Sequence, residues 1–273
     1  MKITRIAVGS CAIACHESSG KGADVLLVHA NSLSAREYQR QLESPLGETH
    51  HLVAIDLPGH GQSSNAPDPV TTYTFPGYAD VITGVATQLG LEQAIFVGWS
   101  LGGCAVLEAA PRLSEAAGFL IFGSSPIGIP AAMDEAFLPH PAMRVISNVE
   151  LTEAELTWFL DCVFKPGTVI PDLFKEDVRR TDGQARSNLI RSVQLGKYRD
   201  QVNVVAYLRK PLAIVHGEED QIVNAAYISK LAIPTLWRGE LQIIKGAGHA
   251  PNWEQPEQFN AVLEEFIEDT RTR

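Results

Sequence analysis

The hydrophobic positions of the chain form short, continuous runs in which apolar residues do not alternate with polar ones. Such runs, rich in Val, Leu, Ile and Phe, are typical of strands that are buried on both faces of a sheet. Six of them are spread along the chain, at residues 24–30, 51–57, 93–98, 116–124, 210–217 and 241–249. Because helical stretches separate most of them, the pattern predicts an α/β fold with a mostly parallel central sheet flanked by helices.

The stretches between these runs have helical character. They lie at residues 34–47, 76–90, 100–113 and 224–231, and a last amphipathic stretch covers residues 256–270. Gly90 closes the second stretch, as glycine often does at the end of a helix. At the start of the chain, two short strands at 3–8 and 11–17 are joined by Gly9 and Ser10, which predicts a β-hairpin.

The alternation of strand and helix stops in the middle of the chain. No strand pattern is evident between residues 126 and 205, and residues 151–164 form a helical stretch in which Thr152 and Glu155 have the spacing of a capping box. The alternation returns after residue 205. We therefore predict an α/β core made of residues 1–125 and 206–273, with residues 126–205 inserted as a helical cap, or lid.

Composition narrows the class of protein. The 273 residues suffice for one large domain, with or without an insertion, and 45% of them are hydrophobic. No run approaches the roughly 18 apolar residues of a membrane span. The formal net charge of −10 argues against nucleic acid and anionic membrane surfaces as partners.

The first residues and the cysteines bear on location. The run that ends at Cys15 loosely resembles a lipoprotein signal, but Gly9 and Ser10 interrupt it and favour the hairpin, so a cytoplasmic location is expected. The four cysteines include no CxxC pair and no metal-type spacing with histidine. They are predicted to be reduced, buried and not metal ligands: Cys11, Cys15, Cys104, Cys162.

The strongest chemical signal is the segment Gly98-Trp99-Ser100-Leu101-Gly102, a G-x-S-x-G match between a predicted strand and a predicted helix. In this arrangement a tight, strained bend exposes the serine hydroxyl at the carboxyl edge of the sheet, and the glycines avoid clashes with the neighbouring strand and helix. Ser100 is therefore predicted to be a nucleophile. The alternative is a turn that contains a serine by chance.

A serine hydroxyl needs a base, and the base needs an orienting acid. His249 lies on a glycine-rich loop between the last predicted strand and the last helix, so its imidazole is free to reach Ser100. Asp220 directly follows the strand at 210–217, and Glu218 and Glu219 are close rivals for the same role. The chain order serine, acid, histidine is that of the α/β-hydrolase arrangement.

Two backbone N–H groups are predicted to bind the oxyanion that forms when the nucleophile attacks. The N–H of Leu101 opens the helix after Ser100 and points toward the reacting atom. The second donor is expected in the loop after residues 24–30, and the N–H of Asn31 is the candidate. Three further histidines are predicted to be structural: His29, His60, His216.

The substrate pocket is expected between the core and the cap. Apolar walls in this pocket would favour a substrate with an acyl or aromatic part, although each candidate could equally be ordinary core packing. The candidates are Trp99, Trp158, Phe159, Phe137, Met133, Ile127 and Trp253.

The motifs together resemble the α/β-hydrolase superfamily. The segments HANS, DLPGHGQSS, GWSLGG, HGEEDQIV and GAGHAP occur in its order, and the resemblance covers nearly the whole chain. Within the superfamily the chain resembles the bacterial N-acylhomoserine lactonases that use a serine triad rather than a metal. A departure from that family is Ala30, where a glycine is usual.

The resemblance implies the same assignment of roles. It matches the nucleophile, acid and base to Ser100, Asp220 and His249, and the oxyanion donors to Asn31 and Leu101. It places a substrate-contacting cap tyrosine at Trp158, and it implies a quorum-quenching activity that requires no metal or organic cofactor.

The expected function is hydrolysis of a small ester or lactone with an apolar part, through an acyl-enzyme intermediate. Two other enzymatic functions share the geometry: hydrolysis of a carbon–carbon bond in a dienoic diketone, and a perhydrolase-type esterase. A non-enzymatic alternative is a hydrolase-like receptor that binds a small ligand. Haloalkane dehalogenases and epoxide hydrolases are disfavoured, since their nucleophile is an aspartate and Ser100 stands at that position.

Overall fold

The computed structural model describes residues 1–271, and eight strands in this part of the chain form one sheet. The order across the sheet is β1-β2-β4-β3-β5-β6-β7-β8, and from β4 to β8 all neighbours pair parallel. The strands are β1 (Lys2–Val8), β2 (Cys11–Glu17), β3 (Asp24–Val28), β4 (His51–Ile55), β5 (Ile95–Trp99), β6 (Gly118–Phe122), β7 (Leu212–Gly217) and β8 (Gln242–Ile244). The predicted mostly parallel α/β sheet is thus confirmed, with β5 near its centre.

Thirteen α-helices and four short 3₁₀ turns connect or cover these strands within the described chain. The helices are α1 (Gln39–Leu42), α2 (Pro45–Thr49), α3 (Pro69–Thr72), α4 (Phe75–Leu89), α5 (Leu101–Ala109), α6 (Met133–Ala136), α7 (Glu153–Asp161), α8 (Asp172–Arg180), α9 (Gly183–Gln194), α10 (Gln201–Tyr207), α11 (Ala225–Ile228), α12 (Pro251–Glu254) and α13 (Pro256–Arg271). The 3₁₀ turns are Ala35–Tyr38, Ala110–Arg112, Pro141–Arg144 and Trp237–Gly239.

The predicted hairpin is present at the start of the chain. β1 and β2 pair antiparallel, from Lys2 opposite Glu17 to Val8 opposite Cys11. Gly9 supplies the positive φ, +57°, that the turn requires. β2 also pairs antiparallel with β4, so the hairpin forms the one antiparallel edge of the sheet.

Each face of the sheet carries its own apolar core. Leu26 and Val28 of β3 belong to the core that includes α4 and α5, whereas Val25 and Leu27 belong to the core that includes α13. Successive residues of a strand point to opposite faces. A strand between two cores therefore needs apolar residues at every position, which explains the uninterrupted hydrophobic runs in the sequence.

The segment from residue 123 to residue 211, between β6 and β7, contains helices α6 to α10 and no strand. We call it the β6–β7 segment. Thr152 caps α7 through a capping box with Glu155, as the sequence predicts. Contacts of α10 with α5 and of α9 with α3 place the segment against the helices that follow β4 and β5.

Two predicted elements are shorter than the pattern indicates. Residues 34–47 do not form one helix, because Pro45 starts a new helix after Ser44 and divides the stretch. The strand at 241–249 comprises only Gln242–Ile244, and Gly246, with φ +69°, turns the chain into a loop.

In residues 1–271 there is no helix with both the length and the apolar character to cross a bilayer.

Candidate active site

Ser100 occupies a strained turn between β5 and α5. Its φ and ψ are 52° and −112°, and a positive φ is rare for a residue other than glycine. Two hydrogen bonds to the backbone of Ser100 hold the turn in place: Ser100 N–H donates to the carbonyl of Phe122 on the adjacent strand (2.8 Å), and Ser124 Oγ donates to the carbonyl of Ser100 (2.5 Å). Strain of this kind persists only where the surroundings fix it, and it is concentrated at functional sites.

The glycines of the turn are required by close backbone approaches. A Cβ on Gly98 would lie 2.5 Å from the amide nitrogen of Gly103. A Cβ on Gly102 would meet the carbonyl oxygen of Val28 on β3. Side chains at these two positions would push α5 away from the sheet, so the mechanical role predicted for the G-x-S-x-G segment is present.

His249 and Asp220 form a buried pair at the ends of β8 and β7. His249 Nδ1 lies 2.9 Å from Asp220 Oδ2, and the other carboxylate oxygen accepts the N–H groups of Ile222 (2.8 Å) and Val223 (3.1 Å). Burial raises the pKa of Asp220, but the charge of His249 and these hydrogen bonds outweigh it, so the net pKa lies below its ordinary value. Asp220 is therefore ionised beside the His249 ring. Glu219, its rival, is exposed to solvent.

The loop that carries His249 is fixed from two sides. Trp99 Nε1 donates to the carbonyl of His249 (2.8 Å), and Glu219 N–H donates to the carbonyl of Ala247 (2.8 Å). A Cβ on Gly217 would meet the carbonyl oxygen of Gly248, so only glycine permits this approach of the two loops. The imidazole is thus held by its neighbours rather than by the loop alone.

Ser100 and His249 line the same cavity. All hydrogen bonds of Ser100 within residues 1–271 involve its backbone, so its hydroxyl is not yet bonded to the imidazole. Hydrogen bonds between a nucleophile and its base are often long until substrate is bound. The structure brings the three predicted groups to one site, with the His249–Asp220 contact formed and the Ser100–His249 contact open.

The two predicted oxyanion donors also lie at this cavity. Leu101 is the first residue of α5, so its N–H has no partner inside the helix. Asn31 follows β3, and neither its N–H nor that of Leu101 donates to a residue of the described chain. Both groups are therefore free to donate to an oxygen atom in the cavity.

The cavity has a volume of about 140 Å³ and lies between the carboxyl edge of the sheet and the β6–β7 segment. Most of its lining residues are apolar, many of them from that segment, and no Lys or Arg of the described residues lines it. Among the predicted walls, Ile127, Met133, Phe137 and Phe159 line it. Such a cavity suits a small, largely apolar, uncharged ligand.

The prediction of three tryptophans as pocket walls is wrong. Trp99 is fully buried on the face of β5 opposite to the cavity, because successive strand residues alternate between faces. Its ring stacks on that of Phe122, with 5.8 Å between the ring centroids. Trp158 is 53% exposed on the outer face of α7. Trp253 packs edge-on against Phe174, with 5.1 Å between the ring centroids. None of the three lines the cavity.

The three histidines predicted to be structural are all buried. His29 Nδ1 donates to the carbonyl of Ala30 (2.7 Å), and His29 Nε2 accepts the N–H of Leu57 (3.0 Å). Burial lowers the pKa of His60 to about 3 and also lowers that of His216. The rings of His60 and His216 are therefore neutral at neutral pH.

The thiols at the cavity are not rival nucleophiles. Cys104 and Cys162 line it, but burial raises the pKa of each to about 12, so neither is a thiolate at neutral pH. All four cysteines are free and buried. In residues 1–271 no group of three or more His, Cys, Asp and Glu side chains is placed to hold a metal ion.

Sequence reasoning missed part of the cavity. Leu189, Ile190 and Val193 of α9 form one wall, and Ser124 and Ser125 follow β6 at its carboxyl end. The apolar stripe of α9 is visible in its spacing. The two serines could have been found because the carboxyl ends of adjacent parallel strands meet at one edge of the sheet.

Comparison with known proteins agrees with this geometry. A model of the alpha/beta hydrolase family matches residues 25–262. The solved structure of the N-acyl homoserine lactonase AidH, complexed with N-butanoyl homoserine, has a TM-score of 0.95 and 34% identity, covering 99% of this chain and 97% of that one.

Two curated relatives are similar over nearly the full length. The pimeloyl-[acyl-carrier protein] methyl ester esterase of Xylella fastidiosa (strain M12) is 26% identical, over 92% of this chain and 97% of its own. A 2-hydroxy-6-oxononadienedioate/2-hydroxy-6-oxononatrienedioate hydrolase of Pseudomonas sp is 24% identical, over 91% of this chain and 89% of its own.

Proposed function

The chain belongs to the alpha/beta hydrolase family and is a hydrolase, and from this premise we propose that it cleaves a carboxylic ester or lactone through a serine-bound acyl intermediate. The observation that carries the proposal is the strained turn that presents Ser100 to the same cavity as His249, with Asp220 at 2.9 Å from the far side of the imidazole. Nucleophile, base and orienting acid are the minimum set for acyl transfer to a serine.

In the proposed mechanism Ser100 Oγ attacks the carbonyl carbon while His249 Nε2 accepts its proton. Asp220 holds Nδ1–H and stabilises the imidazolium that forms. The oxyanion accepts hydrogen bonds from the N–H groups of Asn31 and Leu101, and one such donor contributes about 3 kcal/mol to transition-state stabilisation. His249 then protonates the leaving oxygen, and a water molecule hydrolyses the acyl-enzyme by the same route.

Residues 126–205 act, in this proposal, as a cap over the reacting atoms. Support comes from the cavity walls, because side chains from α6, α7 and α9 face Ser100 across it. An apolar cap excludes water from the oxyanion and strengthens the hydrogen bonds that stabilise it.

We propose an N-acylhomoserine lactone with a short acyl chain as the substrate. The similarity to AidH supports the lactone, and the small apolar cavity of about 140 Å³ supports the short chain. The exposure of Trp158 means that the cap contact implied by the resemblance does not come from this residue. Phe159, its neighbour, faces the cavity instead and offers only apolar contact.

The carbon–carbon bond hydrolase is less well supported. The dioate substrate named for the Pseudomonas relative carries two carboxylates. Burying a carboxylate without a cationic partner is strongly unfavourable. Because the cavity walls within residues 1–271 include no Lys or Arg, this cavity is poorly suited to such a dianion.

A substrate panel tests this choice. We expect kcat/KM for N-butanoyl homoserine lactone to exceed the values for the N-dodecanoyl lactone and for a dienoic diketone dioate by about tenfold or more. The cavity lacks space for the dodecanoyl chain, and it lacks cationic partners for the carboxylates of the dioate. Ring opening is measured by proton release and mass spectrometry, with Ser100→Ala as the blank. Fastest turnover of the diketone would overturn the lactone assignment. Ligand-dependent stabilisation without turnover would favour the receptor alternative.

A further inference from the structure

A buried arginine of α9 contacts the loop that follows β3. Arg186 is 3% exposed, and two of its guanidinium donors bind carbonyls within the β6–β7 segment, those of Asn148 (Nε, 2.8 Å) and Val149 (Nη2, 2.8 Å). The third donor, Nη1, crosses to Ser32 Oγ at 3.2 Å. The guanidinium is therefore fixed by its own segment and aimed at a residue of the core.

Ser32 is a strained residue. Its φ is 62°, in the left-handed region, which is unfavourable for a residue with a Cβ. Its hydroxyl accepts from Arg186 and donates to Asn31 Oδ1 at 3.2 Å. A chain of two hydrogen bonds thus runs from Arg186 through Ser32 to Asn31, the residue whose N–H is the proposed oxyanion donor.

A second contact anchors the other end of the same loop. Ser34 Oγ donates to Asp177 Oδ2 of α8 at 2.6 Å, so both ends of the loop 31–34 are tied to the β6–β7 segment. The direction of a backbone N–H depends on the peptide plane, and a donor aimed away from the oxyanion loses most of its effect. Holding this short, strained loop is therefore a requirement of the chemistry proposed above.

We propose that Arg186 is a positioning residue that keeps the Asn31 N–H directed at the oxyanion, acting through Ser32. The inference rests on the proposed serine hydrolase function. Arg186 does not line the cavity, so it does not touch the substrate. If Arg186 has this positioning role, the oxyanion site is complete only while α9 contacts the loop after β3.

The test compares Arg186→Met and Ser32→Ala with Arg179→Met as the matched control. Arg179 lies on the adjacent α8, is half exposed and pairs with the exposed Glu153, so its loss leaves the loop untouched. For p-nitrophenyl butyrate we expect kcat to fall about 10- to 100-fold in both test variants, less than the loss of a whole donor, with KM changed by less than about threefold.

A tetrahedral inhibitor separates positioning from general damage. Butylboronic acid adds to the serine and places a hydroxyl where the oxyanion forms, so its Ki should rise by the same factor as kcat falls. The double variant should resemble Arg186→Met alone, because both changes break one chain. If Arg186→Met fails to fold, Ser32→Ala still decides, since it leaves both carbonyl contacts of the guanidinium intact.

The inference is overturned if folded variants keep wild-type kcat, if only KM rises, or if the two changes add independently. These outcomes leave the proposed function standing, because the wild-type protein still turns over the ester and binds the boronate. A wild-type protein that does neither overturns the proposed function as well.

Discussion

Ser100→Ala should lower kcat for p-nitrophenyl butyrate by about 10⁴-fold or more, because the acyl intermediate of the proposed mechanism forms on the Ser100 hydroxyl. The thermal midpoint should stay close to that of the wild-type protein. The Ser100 hydroxyl makes no hydrogen bond within residues 1–271, so its removal breaks none. Both quantities are measured on the same purified variant, by initial rates and by calorimetry.

Ser114→Ala is the matched control for this substitution. Ser114 is exposed and lies between α5 and β6, away from the cavity, so the same loss of a hydroxyl should leave kcat within about twofold. Retention of more than about 1% of wild-type activity in Ser100→Ala would eliminate Ser100 as the nucleophile.

Asp220→Asn should lower kcat by about 10³- to 10⁴-fold, whereas Glu219→Gln should change it by less than about twofold. The asparagine can still accept the N–H groups of Ile222 and Val223, so the loop should keep its shape. It cannot stabilise the imidazolium, and its amide favours the wrong tautomer of His249. Glu219 is exposed and serves as the neighbouring control.

Initial rates and thermal midpoints of both variants decide between the two acids. A larger loss in Glu219→Gln than in Asp220→Asn would contradict the assignment of Asp220. Equal small losses would mean that His249 does not depend on an orienting acid.

The fold was largely predictable because its core follows one rule. Strands between two apolar layers need apolar residues at every position, so β3, β5 and β7 stand out as uninterrupted runs. The site was predictable where chemistry and backbone geometry coincide, as at Ser100, whose flanking glycines have close approaches that tolerate no Cβ.

The choice among Glu218, Glu219 and Asp220 could not be made from the sequence with the same security. All three follow β7, and any of them satisfies the order serine, acid, histidine. The loop conformation distinguishes the three acids. The carboxylate of Asp220 is directed inward and accepts two backbone N–H groups, whereas Glu219 is exposed to solvent.

The tryptophan walls failed for a different reason. Large aromatic side chains suggested pocket walls, but the spacing of apolar residues along α7 argued against this role for Trp158. In α7 the buried residues are Leu156, Phe159 and Leu160, and Trp158 lies off that stripe. The contact between Arg186 and Ser32 had no sequence signal, since 154 residues separate its partners.

Active-site labelling with a fluorophosphonate is the most direct measurement of the proposed serine relay. The wild-type protein should take up one phosphonyl group per chain, located by peptide mass spectrometry at Ser100, and Asp220→Asn should react much more slowly at the same residue. Labelling at another residue, or no labelling of a folded wild-type protein, would contradict a nucleophile at Ser100 activated by His249 and Asp220.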